Sequence, residues 1–355
     1  MATVRDVRRV TIVDVARRAG TSTAVVSYVL NPGGRPVSEA LRARVIEAIA
    51  DLDYRPHRHA RALRRRTGWG QLGLLIPDVT LPFYGMLAGS IESEARARRQ
   101  LVLTGNTGFD TTAEVELARS FADAGVDGLL VAGIVDGGAV GQVCDESRIP
   151  LVWVHSNRGA TGPRIVCSDH VRAGALAAEH LVGVHGRTST AFVGGFTDQH
   201  VQHGDRDTVR QRFEGYASVA GGSGRHIATD LTLAGAYCAV RAWIEEHGVP
   251  DGLVVGTFLQ SGAVLRALTD AGLRVPDDVP VVGFDGDARN AYAQIAITTV
   301  HQDIGEIARR GIDLALPANR PAGVTPTPLH VALTVADSCG CNVRPQLRSA
   351  TESQR

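Results

Sequence analysis

Arg58, Arg61, Arg64, Arg65 and Arg66 crowd the segment HRHARALRRRTG (57–68), whose few apolar groups include Ala60 and Leu63. Guanidinium groups at that density suit phosphate, because each presents a fork of donors to anionic oxygens. A second crowded segment, TDQHVQHGDRD, holds Asp198, His200, His203, Asp205 and Asp207. Imidazoles and carboxylates suit zinc. The spacing H-x-x-H in a loop is loose, however, and a solvated loop at the mouth of a cleft fits it better. The five cysteines (Cys144, Cys167, Cys238, Cys339, Cys341) are odd in number and lack C-x-x-C spacing. They read as buried or incidental thiols of a reducing cytoplasm. Cys339-Gly340-Cys341 is too tight for an unstrained disulfide. No G-x-S-x-G, H-E-x-x-H or P-loop pattern occurs. Gly221-Gly222-Ser223-Gly224 reads as a turn, since no strand feeds into it. No metal and no cofactor is expected, and the chemistry on offer is binding rather than catalysis.

Charge divides the chain. Residues 1–66 carry 14 Arg against 6 acids, and the remainder carries 23 Arg against 31 acids, so a basic head adjoins an acidic body. Such a head suits a polyanion. All 37 basic residues are Arg, which reads as a bias of base composition. MATVRDVRRV lacks the apolar core of a secretory signal, and no run of eighteen apolar residues occurs, so a cytoplasmic protein without a membrane span is expected.

The elements that must position these groups begin at Thr11. Ile12, Val15, Ala16 and Ala19 form one apolar helical stripe, with Thr11 as cap and Asp14 in capping-box register. Gly20 breaks the helix and Ser22 caps a second one. There Val26, Val29 and Leu30 share the inner face, while Thr23, Ala24, Ser27 and Tyr28 point outward. Asn31-Pro32-Gly33-Gly34 is a loop. A third helix from Ser38 closes a small core with Leu41, Val45, Ile49 and Leu52. Two short helices about a glycine describe a helix-turn-helix whose second helix reads the major groove. Residues 57–68 fit either a solvated linker or a helix that folds on a phosphate-rich partner, with a leucine wedge for the minor groove.

From Gln71 strand-like runs (71–78, 100–106, 128–133, 150–157, 190–195, 253–258, 279–285) alternate with helical stretches (84–98, 111–124, 170–183, 212–220, 235–247, 261–271). That alternation predicts parallel sheets covered on both faces, in two lobes. Asp78, Asn106, His155 and Asp285 end strands and are expected to gather at a cleft.

VTIVDVARRAGTSTAVVSYVLN followed by DLDYRPHRHARALR resembles the DNA-binding headpiece and hinge helix of the LacI–GalR family of bacterial transcriptional regulators. The resemblance continues through IPDVTLPFYGMLAGSIESEA, SDHVRAGALAAEHL, RFEGY, RVPDDVPVVGFDGD and ITTVHQDIGEIARR, so it covers nearly the whole chain. It implies DNA contacts from Thr11, Ser22, Thr23, Ala24, Ser27, Tyr28, Asn31, Tyr54, Arg58 and Arg61, with Ala60 and Leu63 in the minor groove at the operator centre. Tyr28 stands where many members have Arg, which removes a guanine contact. In the body it implies a type I periplasmic-binding-protein-like fold, two doubly wound lobes joined by a three-strand hinge. Phe83 and Tyr84 would supply an apolar platform, and Asp169, Arg212 and Asp285 would hold polar groups of a small-molecule effector. Three sites depart from the family pattern, four residues in all: Thr257-Phe258 replaces Asn-Asp, Leu81 replaces Asn, and Ala336 replaces Arg. Phe258 makes the pocket more apolar than a monosaccharide site and points to a sugar derivative, a nucleoside-like molecule or another ring compound.

The expected organisation is a helix-turn-helix headpiece (1–56), a hinge helix and linker (57–69), an α/β effector and dimerisation domain (70–345) and a polar tail (346–355). The expected protein is a non-enzymatic repressor binding a palindromic operator as a homodimer, with no tetramer because the tail lacks a leucine heptad. An enzyme, or a small-molecule-binding protein, with an accessory basic head is the alternative.

Overall fold

The computed structural model describes residues 11–30, 37–52, 70–133, 137–155, 164–221, 225–316 and 327–341. The chain divides into two units, Met1–Trp69 and Gly70–Arg355.

In the first unit, α1 (Ile12–Arg18), α2 (Thr23–Leu30) and α3 (Glu39–Asp51) enclose Val15, Ala16, Ala19, Val26, Val45 and Ala48. The Asp14 carboxylate accepts from the Thr11 backbone N–H at 2.9 Å, which starts α1 as the spacing predicts. The Ser22 hydroxyl accepts from the Val25 N–H at 3.3 Å and starts α2. Between them Gly20 adopts φ +63, and a Cβ there would lie 2.6 Å from the Arg44 guanidinium. Arg44 donates to the Ala19 and Gly20 carbonyls, so α3 holds the turn that sets the angle between α1 and α2.

The second unit holds two sheets. The first lobe is a parallel sheet ordered β2-β1-β3-β4-β5, from β1 (Gln71–Ile76), β2 (Leu101–Asn106), β3 (Gly128–Val131), β4 (Leu151–His155) and β5 (Ile165–Cys167). On one face lie α4 (Pro82–Ala97) and α11 (Ile304–Ala315); on the other lie α5 (Thr111–Ala124) and α6 (Gly137–Ser147). Strand β1 is buried on both faces from Leu72 to Ile76, which is why it reads as an unbroken apolar run.

The second lobe orders its strands β11-β10-β9-β8-β6-β7, from β6 (Thr190–Gly194), β7 (Arg225–Ala228), β8 (Gly252–Val255), β9 (Val281–Phe284), β10 (Thr298–Gln302) and β11 (Val331–Thr334). Only β11 runs antiparallel, to β10. Helices α7 (His170–Glu179) and α8 (Arg206–Ala220) cover one face, and α9 (Leu233–His247) and α10 (Phe258–Asp270) the other. The chain passes between lobes after β5, after β10 and before β11. Two of these passages pair directly: Leu329 donates to the Cys167 carbonyl at 2.8 Å, and Asp169 N–H to the Leu329 carbonyl at 3.2 Å.

Four strands (β5, β7, β10, β11) and two helices (α6, α11) lie outside the predicted runs. The run 253–258 stops as a strand at Val255, and α8 begins six residues before the predicted 212. Strands of three to five residues carry too little periodicity to register, and the Gly-rich GGAVGQVCDES of α6 has weak helix propensity.

Candidate functional site

On the first unit, Ala24 and Tyr28 are exposed on α2 and Thr23 is half-buried. Ser27 departs from the predicted outward face. It is only 7% exposed and sits beside Val26 on the inner side, because one residue step on this eight-residue, two-turn helix leaves it at the margin of the packed stripe. Thr11 and Ser22 serve as the helix starts described above. Asn31, Tyr54, Arg58, Ala60, Arg61 and Leu63 lie outside the described residues.

In the second unit a cavity of about 610 Å³ opens at the carboxyl ends of the strands, lined from both lobes. Phe83 and Tyr84 enter it from the first turn of α4, and Phe258 from the first residue of α10. Leu81, Phe109 and Leu233 extend the apolar wall. Asp78, His155 and Asp285 line it, each at or just past a strand end, whereas Asn106 is spent on the Val79 N–H at 3.1 Å.

Arg212 reaches the cavity because α7 and α8 approach at glycine. A Cβ on Gly174 would lie 1.8 Å from the Arg212 carbonyl, and one on Gly215 1.8 Å from the Val171 carbonyl. Its guanidinium donates to Asp285 Oδ2 at 2.6 Å and to the Gly256 carbonyl at 2.9 Å, and lies 4.2 Å above the Phe284 ring. Asp285 further accepts from Gln302, from the backbone N–H at 3.1 Å and the side-chain amide at 3.0 Å. Burial pushes the Asp285 carboxyl up, but the adjoining Arg212 charge and donors outweigh it and leave it below the usual carboxylate range. The two charges expected to await a ligand therefore satisfy each other in this state.

The network continues across the lobes. Gln302 Oε1 lies 2.9 Å from His155 Nδ1, and His155 Nε2 lies 3.2 Å from Asp205 Oδ2. Asp205 caps α8 in the second lobe, and the Tyr84 hydroxyl of the first lobe donates to it at 3.3 Å. His155 (φ +74) and Asp285 (φ +53) both hold left-handed backbone, a conformation that costs a non-glycine residue about 1–3 kcal/mol and clusters at functional sites. Below His155, burial first, then the neighbouring His155 and Arg212, lower His170 to about 3, so its ring is neutral.

Asp169 does not join this set. It is absent from the cavity wall and caps α7 instead, accepting from the Arg172 N–H at 2.8 Å. Ala336 also lies elsewhere, bonded through its backbone to Thr298, so its departure from the family pattern does not bear on the cavity. Of the crowded 197–207 segment, His203 and Asp205 line the cavity while His200 bonds Thr197 at 2.7 Å. Asp205 and Gln302 join this network although neither was among the expected effector contacts. An Asp just before a helix and a polar residue ending a strand are the signals that mark them.

A helix-turn-helix unit, together with a two-lobed α/β body enclosing a cavity at facing strand ends, defines the class: a DNA-recognition head carried on a periplasmic-binding-protein-like body. Residues 11–57 match the lacI family of bacterial regulatory proteins, and residues 178–338 match the periplasmic binding protein-like domain. Catabolite control protein A of Priestia megaterium is 30% identical over 313 residues, covering 85% of this chain and 91% of that one. The HTH-type transcriptional regulator DegA of Bacillus subtilis is 29% identical, covering 88% and 92%. The chain belongs to the lacI family of bacterial regulatory proteins. Among solved structures, the lac repressor dimer bound to operator and an anti-inducer superposes with a TM-score of 0.77 at 23% identity, covering 94% of this chain and 99% of that one. A lacI-family regulator from Enterococcus faecium with bound ribose gives 0.64 at 23% identity, covering 76% and 98%.

Proposed function

We propose that this protein is a ligand-responsive transcriptional repressor without catalytic activity, which binds a palindromic operator as a homodimer and takes a small-molecule effector in the interlobe cavity. The observation that carries the reading is the Tyr84–Asp205–His155–Gln302–Asp285–Arg212 network, which runs along the cavity wall from one lobe to the other. The bonds that join the lobes run from Tyr84 and His155 to Asp205 and Gln302, and Gln302 also bonds Asp285, so a ligand engaging Arg212 or Asp285 acts one bond away from the interlobe contacts and couples occupancy to lobe geometry. Lobe movement in a dimer would in turn change whether the two 57–69 segments fold together on DNA. Thr11, Ser22, Thr23, Ala24 and Tyr28 are the proposed head contacts, joined by Asn31, Tyr54, Arg58, Ala60, Arg61 and Leu63. Phe83, Tyr84, Arg212, Phe258 and Asp285 are the proposed effector contacts. The wall combines aromatic and aliphatic groups with two charges, which suits a ring compound such as a sugar derivative or nucleoside.

The test is selection of duplexes bound by the full chain from a random pool. An enriched inverted repeat, with half-sites about one helical turn apart, is the expected outcome. Failure to enrich any sequence would overturn the operator assignment.

A further inference from the structure

Cys339 and Cys341 follow β11, on the second lobe and away from the cavity wall. The three-residue turn Asp337–Cys339 ends at Gly340, whose φ of +90 bends the chain between the two thiols. Facing them is the end of α7, where the helix widens into a π-turn over His180–Val184 and the His185 N–H donates to the His180 carbonyl at 3.3 Å. In a regular α-helix, residues five apart point about 140° away from each other. The widened turn rotates His185 back onto the side of His180, and such turns concentrate at functional sites. The result is that one atom from each of His180, His185, Cys339 and Cys341 lies within 4.8 Å of all the others. His180 and Cys339 are buried; His185 and Cys341 are half-buried.

The distances match a coordination sphere. A tetrahedral zinc with bonds of about 2.0 Å to nitrogen and 2.3 Å to sulfur separates its ligands by about 3.3 Å (N to N) and about 3.5 Å (N to S). Here the two Nε2 atoms are 3.3 Å apart, and Cys341 Sγ lies 3.3 Å from His185 Nε2 and 3.7 Å from His180 Nε2. Two imidazole nitrogens and a thiol sulfur in mutual contact suit a single cation, which takes a lone pair from each of them. We propose that His180, His185, Cys339 and Cys341 form a structural Zn²⁺ site that pins the segment after β11 to the end of α7. Two thiols and two histidines favour zinc over the hard oxygen-seeking cations. Binding releases the two thiol protons, and the resulting pair of thiolates balances the charge of the ion, so the filled site is neutral and tolerates burial. All four positions come from protein, which leaves no open position for catalysis. Cys339 and Cys341 are then ligands rather than incidental thiols. The sequence concealed them because the histidine pair sits far from the cysteine pair and because H-x-x-x-x-H shares one face only through the π-turn.

The experiment uses the full-length chain, loaded with zinc alone, exchanged into metal-free buffer and assayed for metal by mass spectrometry. Zinc equimolar with chain is expected. Cys341→Ser and His185→Gln, both at half-buried positions, should each weaken retention at least about tenfold, while Cys238→Ser, an exposed thiol outside the cluster, leaves it unchanged. Cobalt substitution of the wild type adds a readout that needs no variant: tetrahedral ligand-field bands with a thiolate charge-transfer band, reduced in Cys341→Ser. Wild-type chain that retains no zinc, or a cobalt spectrum without thiolate character, overturns the site. So does a Cys341→Ser chain with wild-type zinc content and spectrum.

Discussion

Arg212 and Asp285 are 4% exposed each, and each is the other's counter-charge. Removing one partner of a buried pair leaves the second uncompensated, which costs about 3–5 kcal/mol. Arg212→Ala should therefore lose both stability and effector binding. Asp285→Asn keeps the shape and one acceptor oxygen but leaves Arg212 without its counter-charge, so it should also lose stability, and it should weaken the effector roughly ten- to hundred-fold, the loss of one charge-assisted bond. Calorimetric titration with an effector found by screening checks both; wild-type affinity in Asp285→Asn would place the site elsewhere. His170 offers a pH test. Its folded pKa of about 3 lies below the unfolded value, so unfolding takes up a proton between the two. Its contribution is complete above roughly pH 6.5 and is lost as pH falls toward 3, at about 1.4 kcal/mol per unit. His170→Gln, which keeps a donor for the His155 carbonyl, should flatten that slope in denaturant titrations at several pH values. At this scale Arg212 and Asp285 were legible, since RFEGY and VPVVGFD carry them. Asp169 stands off the cavity wall because an Asp before a helix serves equally as a cap. Gln302 and Asp205 escaped because polar residues at element ends are common and only the fold aligns them.

Elements decide whether those residues meet. Gly215 and Gly174 let α8 and α7 approach backbone to backbone, and that approach carries Arg212 over the Phe284 ring. Gly215→Ala must displace α8, since a Cβ there lies 1.8 Å from the Val171 carbonyl. It should lower the thermal midpoint and weaken the effector with the Arg212 side chain intact, whereas Gly262→Ala, with nothing within 4 Å, should do neither. Thermal scans and titrations of the two variants make the comparison. The long elements were legible in the sequence: β1, α4 and α5 follow their apolar runs closely. The short ones were not, because strands such as β5 and β7 are recognised by pairing with neighbours rather than by any period of their own. In the head, the glycine turn and apolar stripe predicted the three helices among the described residues. Ser27 was misassigned because a small polar residue on a two-turn helix fits either face.

At the scale of the molecule, a basic head adjoins an acidic body. With 14 Arg in residues 1–66, doubled in a dimer, operator affinity should fall steeply with salt, with a log–log slope of several units. Nitrocellulose or anisotropy titrations across salt concentrations measure it, and a flat dependence would remove phosphate contact from the account. The charge division and strand-helix alternation made this organisation legible before any coordinate; the cavity's interlobe network was not, because it joins residues from both lobes. If effector in the cavity changes how the head binds DNA, the coupling is reciprocal. The most direct measurement is anisotropy titration of the selected operator with the full chain, with and without saturating effector. A shift in Kd of roughly 5- to 150-fold is expected, matched by an equal shift in effector Kd when operator is present. Operator affinity unchanged by a ligand that occupies the cavity would contradict that coupling.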